Sequence, residues 1–225
     1  MTPEFSSLVN PTLHYVLGLV SRIQRHDASL DLRSERDHIR GELEAAAATA
    51  DSHESPVSGD EFQLAKQGLI YWIDEVLTVA DPAWQTMTLE WHYFQSLDRA
   101  WKFYVTGEKQ ALRSSPDVIE LWYLALVLGF EGDIRNAFDE HLNEPLSAES
   151  SDGQERQDWA RKLERQIRQH KPRDLQPTKL EGNVTTLSGG LHLKAAAGWS
   201  LTLVAVTVLL SLYLLWPGLF GVSGL

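Results

Sequence analysis

From Ala195 to Leu225 the chain carries not one charged side chain. Crossing a bilayer as a helix takes roughly 20 mostly apolar residues, and Ala195 to Trp216 meets that length. Trp199 stands near one end of this run, and Tyr213 and Trp216 near the other, where an aromatic belt places them. The other reading, a buried core helix, needs covering elements on every side, because the run has no polar face to offer water. The spacing therefore predicts one membrane span at 195–216, followed by a short tail at 217–225.

Charge in the flanks predicts the orientation. Lysines and arginines are retained on the cytoplasmic side of a span. Arg156, Arg161, Lys162, Arg165, Arg168, Lys171, Arg173, Lys179 and Lys194 all precede the run, and no charged side chain follows it. The expectation is a membrane protein with a cytoplasmic N-terminal domain, and with only the few residues after Trp216 on the far side. Met1 to Gln24 contains Glu4 and lacks a basic start and a long apolar stretch, so no secretory leader is expected there. Gly198, Thr202 and Ala205 share one helical stripe of small residues. Such a stripe lets two backbones approach, which makes it a candidate for homodimerisation in the membrane.

The formal net charge is -11, and the acids concentrate before about Glu144. An acidic body argues against a nucleic-acid partner, which needs a basic footprint. The basic stretch before the span either lies on anionic lipid headgroups or only enforces topology. Zero cysteines exclude a disulfide framework and a cysteine nucleophile.

The pattern before the span is helical, with almost no strand signal. Asn10 and Pro11 read as a cap and first helical position, followed by Leu13, Val16, Leu17, Val20 and Ile23 at helical spacing. A polar helix is expected over Ser34 to Thr49, then a Ser/His/Pro/Gly loop to Gly59. A helix from Asp60 to Ala80 presents Phe62, Ala65, Leu69, Trp72, Ile73, Val76, Leu77 and Ala80 on one broad face. Thr86 to Val105 reads as a single helix closing at Gly107. Ser115-Pro116-Asp117 is a strong helix start. Val118 to Leu128 is then apolar nearly all round, too short to span a membrane, and is expected to form the buried centre with Leu124 inside it. Gly129 reads as its cap. A short helix at Asp133 to Leu142, a linker at Glu144 to Gly153 and a charged helix at Glu155 to His170 follow. The division implied is a helical domain core at 1–143, a linker and charged helix completing it at 144–171, and a basic tether at 172–194.

Catalytic constellations are thin. Glu35-x-x-His38 has the ligand spacing of di-iron bundles, but that chemistry needs two such motifs and two further glutamates. A single copy on a polar helix reads as a solvated face. Asp139-Glu140-His141 puts its members on different sides of a helix. No metal, cofactor or catalytic residue is expected. Asp74-Glu75 stands apart. With Leu69 at the centre of the apolar face, both carboxylates fall towards the polar back of their helix, flanking it rather than converging.

The segment from Glu120 through Leu121-Trp122-Tyr123 to Leu128-Gly129-Phe130-Glu131-Gly132 resembles the signature of the TssL family, also called DotU or IcmH, of type VI and type IVb secretion systems. Asp74-Glu75 is similar to that family's acidic pair, Phe103-Tyr104 to its paired aromatics, and the C-terminal anchor to its topology. Asp133-Ile134 departs from the Arg-Tyr usual after the motif, and Ala100-Trp101 from a Gly-Glu pair. The resemblance implies an all-α, hook-like cytoplasmic domain of two small helical bundles followed by one C-terminal transmembrane helix. It implies a structural, non-enzymatic role, docking a TssM-like inner-membrane protein and TssK-like and TssE-like baseplate proteins. Asp74, Glu75 and Glu131 are the partner-binding residues it points to. Two other readings share part of the pattern. One is a tail-anchored adaptor of the apoptosis-regulator kind, whose Asn-Trp-Gly-Arg motif is missing here. The other is a membrane-anchored di-metal oxidase, which bound metal in purified protein would reveal.

Overall fold

The computed structural model describes residues 1–170. Over them the chain is helical: α1 (Pro3–Gln24), α2 (Leu32–Ala50), α3 (Gly59–Ala80), α4 (Leu89–Phe94), α5 (Arg99–Lys109), α6 (Pro116–Val127), α7 (Ile134–Asn136) and α8 (Asp152–His170). Short 3₁₀ turns lie at Pro82–Thr86 and Ala111–Arg113, and a π-helical turn, Ala137–Leu142, continues α7. The expected span at 195–216, its stripe of Gly198, Thr202 and Ala205, and the tether at 172–194 lie outside the described residues. Among the described residues no helix is long and apolar enough to cross a membrane.

The first helix starts earlier than its sequence pattern predicts. The Thr2 side chain accepts from the Phe5 amide, Pro3 occupies the first turn, and Pro11 sits inside the helix instead of opening it. An internal proline costs about 3 kcal/mol. Extending the helix back buries Phe5 and Val9 on the same side as Leu13, Val16 and Leu19. Two such side chains contribute about 3–6 kcal/mol, enough to offset the proline.

Helices α1, α2 and α3 pack on one another; α6 packs against α3 and α8, and α5 against α3, α7 and the π-helical turn. Helix α3 is therefore common to both sets. Its middle, Gly68 to Asp74, is buried on every side, so the single apolar face expected of it is an underestimate. Trp72, Trp84 and Trp122 are the largest fully buried side chains of one continuous core. A Cβ on Gly68 would stand 2.7 Å from the Trp122 ring, which shows how closely α3 and α6 approach.

Helix α6 begins at Pro116 as expected, although the Ser115 side chain makes no capping bond. It is less central than its composition suggests. Val118, Ile119, Leu121, Trp122 and Ala125 are buried, Leu124 is half-buried and Val127 is 61 % exposed. The rest of its apolar surface finds only partial cover. The charged helix α8 docks through Trp159 and Leu163, its two buried side chains. Its Lys162 pairs with Glu108 of α5 at 2.6 Å, and the Trp159 indole donates to the same carboxylate at 2.6 Å.

Candidate functional site

Asp74 and Glu75 are neighbours on α3, yet they perform different work. Asp74 is fully buried. Its Oδ1 accepts from the Trp84 indole at 2.8 Å and the Leu89 amide at 2.9 Å, and its Oδ2 from the Glu90 amide at 2.6 Å. Those amides are unpaired donors at the start of α4, which an α-helix always leaves over. The expectation that Asp74 faces the polar back of its helix is corrected here. That back is covered by the 3₁₀ turn and α4, which the carboxylate itself caps. Burial pushes the Asp74 carboxyl above its ordinary range, against the pull of its three donors and of Arg99.

Glu90 extends the network. It is buried too, and its Oε1 accepts from the Asp98 amide at 2.7 Å and the Ser96 hydroxyl at 3.1 Å. These bonds stabilise the break between α4 and α5. A single helix over Thr86 to Val105 does not form: Gln95 turns left-handed at φ 51° and the chain restarts at Arg99. Burial raises the Glu90 carboxyl as well. Nothing in the local sequence marks Glu90 for this task, because its partners are an amide and a hydroxyl supplied by a turn.

Glu75 joins α3 to the second motif. One oxygen accepts from Arg99 Nε at 3.0 Å, and the other from the backbone amide of Gly132 at 3.2 Å. Arg99 also lies 3.8 Å from Glu90 and 3.5 Å from the Thr78 hydroxyl. Two stretches separated by more than fifty positions thus meet at one carboxylate.

Leu128-Gly129-Phe130-Glu131-Gly132 is the exit from α6. Gly129 takes φ 101°, the Gly129 amide donates to the Leu126 carbonyl at 3.1 Å, and the Phe130 amide to the Ala125 carbonyl at 3.0 Å. This is the paired bonding of a Schellman cap, whose left-handed residue favours glycine. The cap turns Phe130 inward, where its ring lies 4.0 Å from that of Phe103. The Leu128 carbonyl accepts from the Trp72 indole at 3.3 Å, and the Glu131 carbonyl from the Tyr104 hydroxyl. Gly132 takes φ 56°, and a Cβ on it would lie 2.5 Å from the Ala100 carbonyl oxygen. The Glu131 side chain remains exposed beside this junction. Phe103-Tyr104 is thereby the floor on which the motif rests. Asp133, where the resemblance suggests arginine, caps α7 by accepting from the Asn136 amide at 2.9 Å, and Ile134 is buried.

The other sequence candidates have structural partners. Glu35 is not a solvated acid: it is buried, receives the Tyr15 hydroxyl and pairs with Arg22 at 3.0 Å. The His38 ring lies against that of Tyr15, tilted by 34°, with ring centroids 4.2 Å apart. His141 stacks on Trp101 at 3.6 Å, and Asp139 accepts from the Leu146 amide at 3.0 Å. Among the described residues no group of three or more histidines and acids is placed to hold a metal ion.

The carboxylates of Asp74, Glu75 and Glu90 are engaged with amides, an indole, a hydroxyl and an arginine, so the arrangement fixes the relative positions of α3, α4, α5 and the α6 exit. That is the build of a rigid helical scaffold. The family model described as type VI secretion system protein DotU matches residues 7–218, and the chain belongs to that family. It is therefore a component of a type VI secretion system. No curated protein and no solved structure matches the chain.

Proposed function

We propose that the chain is a structural, non-enzymatic platform. On this reading it is anchored in the bacterial inner membrane by residues 195–216 and docks other parts of the secretion apparatus to its cytoplasmic domain. The observation that carries the reading is the junction at Glu75. There Glu75 of the acidic pair is bonded to Gly132 of the Leu-Gly-Phe-Glu-Gly exit, and the Glu131 carboxylate is left exposed beside them. Glu75, through its remaining exposed edge, and Glu131 are the contact groups. Asp74 acts through the turn it holds, since it has no surface to offer. The hook of two small bundles is supported by α3 serving two packed sets of helices. A TssM-like membrane protein and TssK-like and TssE-like baseplate proteins are the proposed partners. Their basic patches would be drawn to the acidic surface.

The test separates folding from docking. Glu75→Gln with Glu131→Gln, in the full chain, should keep helicity and membrane anchoring while binding to a purified baseplate partner weakens, most at low salt. Unchanged partner binding and unchanged secretion would remove both carboxylates from the docking surface.

A further inference from the structure

Of the large apolar side chains left exposed among the described residues, three fall in one short segment: Trp91 at 53 %, Phe94 at 37 % and Leu97 at 56 %. Single exposed apolar residues are ordinary, whereas a cluster containing tryptophan is not. Trp91 and Phe94 are three apart and share one side of α4. Leu97 lies in the turn that follows.

The segment is held in this exposed form. Asp74 grips the first amides of α4, and Glu90 grips the Ser96 hydroxyl and the Asp98 amide. Gln95, left-handed, returns its side-chain amide to the Trp91 carbonyl at 2.7 Å. Phe94 is steadied by an edge contact with Tyr71, ring centroids 5.7 Å apart. Apolar groups fixed before binding lose little entropy when they are covered. The two buried acids are accounted for as the device that presents these side chains.

We propose that α4 and the turn after it form a second docking surface, and that its occupant is a partner protein offering an apolar pocket rimmed by lysine or arginine. Aromatic anchors entering a pocket are the usual centre of a protein interface. Charge selects among occupants. The nearby cations are already engaged: Lys66 lies 4.4 Å above the Tyr93 ring, and Lys102 pairs with Asp98 at 2.9 Å. Arg40 is shared between Asp37 at 3.3 Å and Glu44 at 3.9 Å, and Glu44, which receives the Tyr93 hydroxyl at 3.2 Å, keeps a side chain that is 54 % exposed. Acidic side chains outnumber basic ones over residues 1–170. An anionic bilayer, the other common home of an exposed tryptophan, would be repelled, and a second copy of this chain would bring like charges together.

The experiment places a photo-crosslinking phenylalanine analogue at position 91 of the full chain, in cells running the intact secretion system, and identifies the adduct by mass spectrometry. The expected adduct is one protein, joined through a segment with lysine or arginine on either side. That protein, purified, should bind the detergent-solubilised Trp91→Ala chain about tenfold or more weakly, as for loss of a central aromatic anchor, while the variant keeps its helicity and melting point. Leu97→Ser gives the same readout if Trp91→Ala does not fold. Glu75→Gln with Glu131→Gln should leave this particular binding intact. Equal loss in that pair would merge α4 with the acidic junction and overturn a second surface. An adduct to lipid or to another copy, no adduct, or unchanged affinity overturns the proposal itself.

Discussion

Two adjacent carboxylates on α3 show how far apart the fates of chemically similar residues can lie. Asp74 satisfies three donors in the core, and Glu75 bridges Arg99 and the Gly132 amide near the surface. Asp74→Asn places an amide nitrogen against one or more of those donors, leaving buried hydrogen-bonding groups unpaired at about 1–3 kcal/mol each. The loss should appear in denaturant melts, whereas Glu75→Gln, which keeps one accepting oxygen at a largely buried ion pair, should cost about 1–2 kcal/mol. The pH dependence has a definite sign. The folded-state carboxyl of Asp74 is raised by burial, so its contribution to stability is fully present below the ordinary carboxylate range and is lost as pH rises through the raised value. The stability gap between the parent and Asp74→Asn should therefore narrow from acid towards neutral pH. A gap that widens would mean that the three donors outweigh burial and hold the anion.

At the scale of elements, the exit of α6 is the most constrained piece of chain. Gly129 and Gly132 both take positive φ, and the second has no room for a Cβ beneath the Ala100 carbonyl. Gly129→Ala should cost about 1–2 kcal/mol, the penalty of a left-handed residue with a Cβ. Gly132→Ala should cost more, because the backbone must also move away from α5. It should loosen the Glu75 bond with it, which thermal melts of the double variant with Glu75→Gln would show as less than additive loss. For α6 itself, Trp122→Ala is the sharper probe of the core, expected to cost about 3–5 kcal/mol. Leu124, half-buried, should tolerate a polar replacement far better than a central core position does. If Leu124→Asp unfolds the domain as thoroughly as Trp122→Ala, the partial exposure of that side of α6 is covered in solution.

For the whole molecule, the proposed anchor at 195–216 would decide where the scaffold works. Removal of residues 195–225 should move the chain to the soluble fraction with its helicity kept. Retention on membranes in high salt would point to a second membrane-binding element before residue 195. On the proposal that residues 195–216 span the membrane and pair through their small-residue stripe, replacing Gly198 and Ala205 with leucine should lower self-association in a membrane reporter, since small residues are what allow close backbone approach. An unchanged signal would leave that stripe facing lipid.

What the sequence determined by itself is whatever depends on local order. Ser115-Pro116-Asp117 starts a helix, Gly129 ends it, and residues 59 to 80 form α3, because caps, prolines and periodicity act within a turn or two. The motif and its family were legible for the same reason, being carried by contiguous residues. Tertiary structure decided what contacts from distant chain decide. Periodicity reports one apolar face, so it placed Asp74 on a polar back that α4 then covered. It could not see the break at Gln95, which rests on Glu90 reaching Ser96 and Asp98. It started α1 at Pro11, because the burial of Phe5 and Val9 that outweighs an internal proline exists only once the core has formed around them.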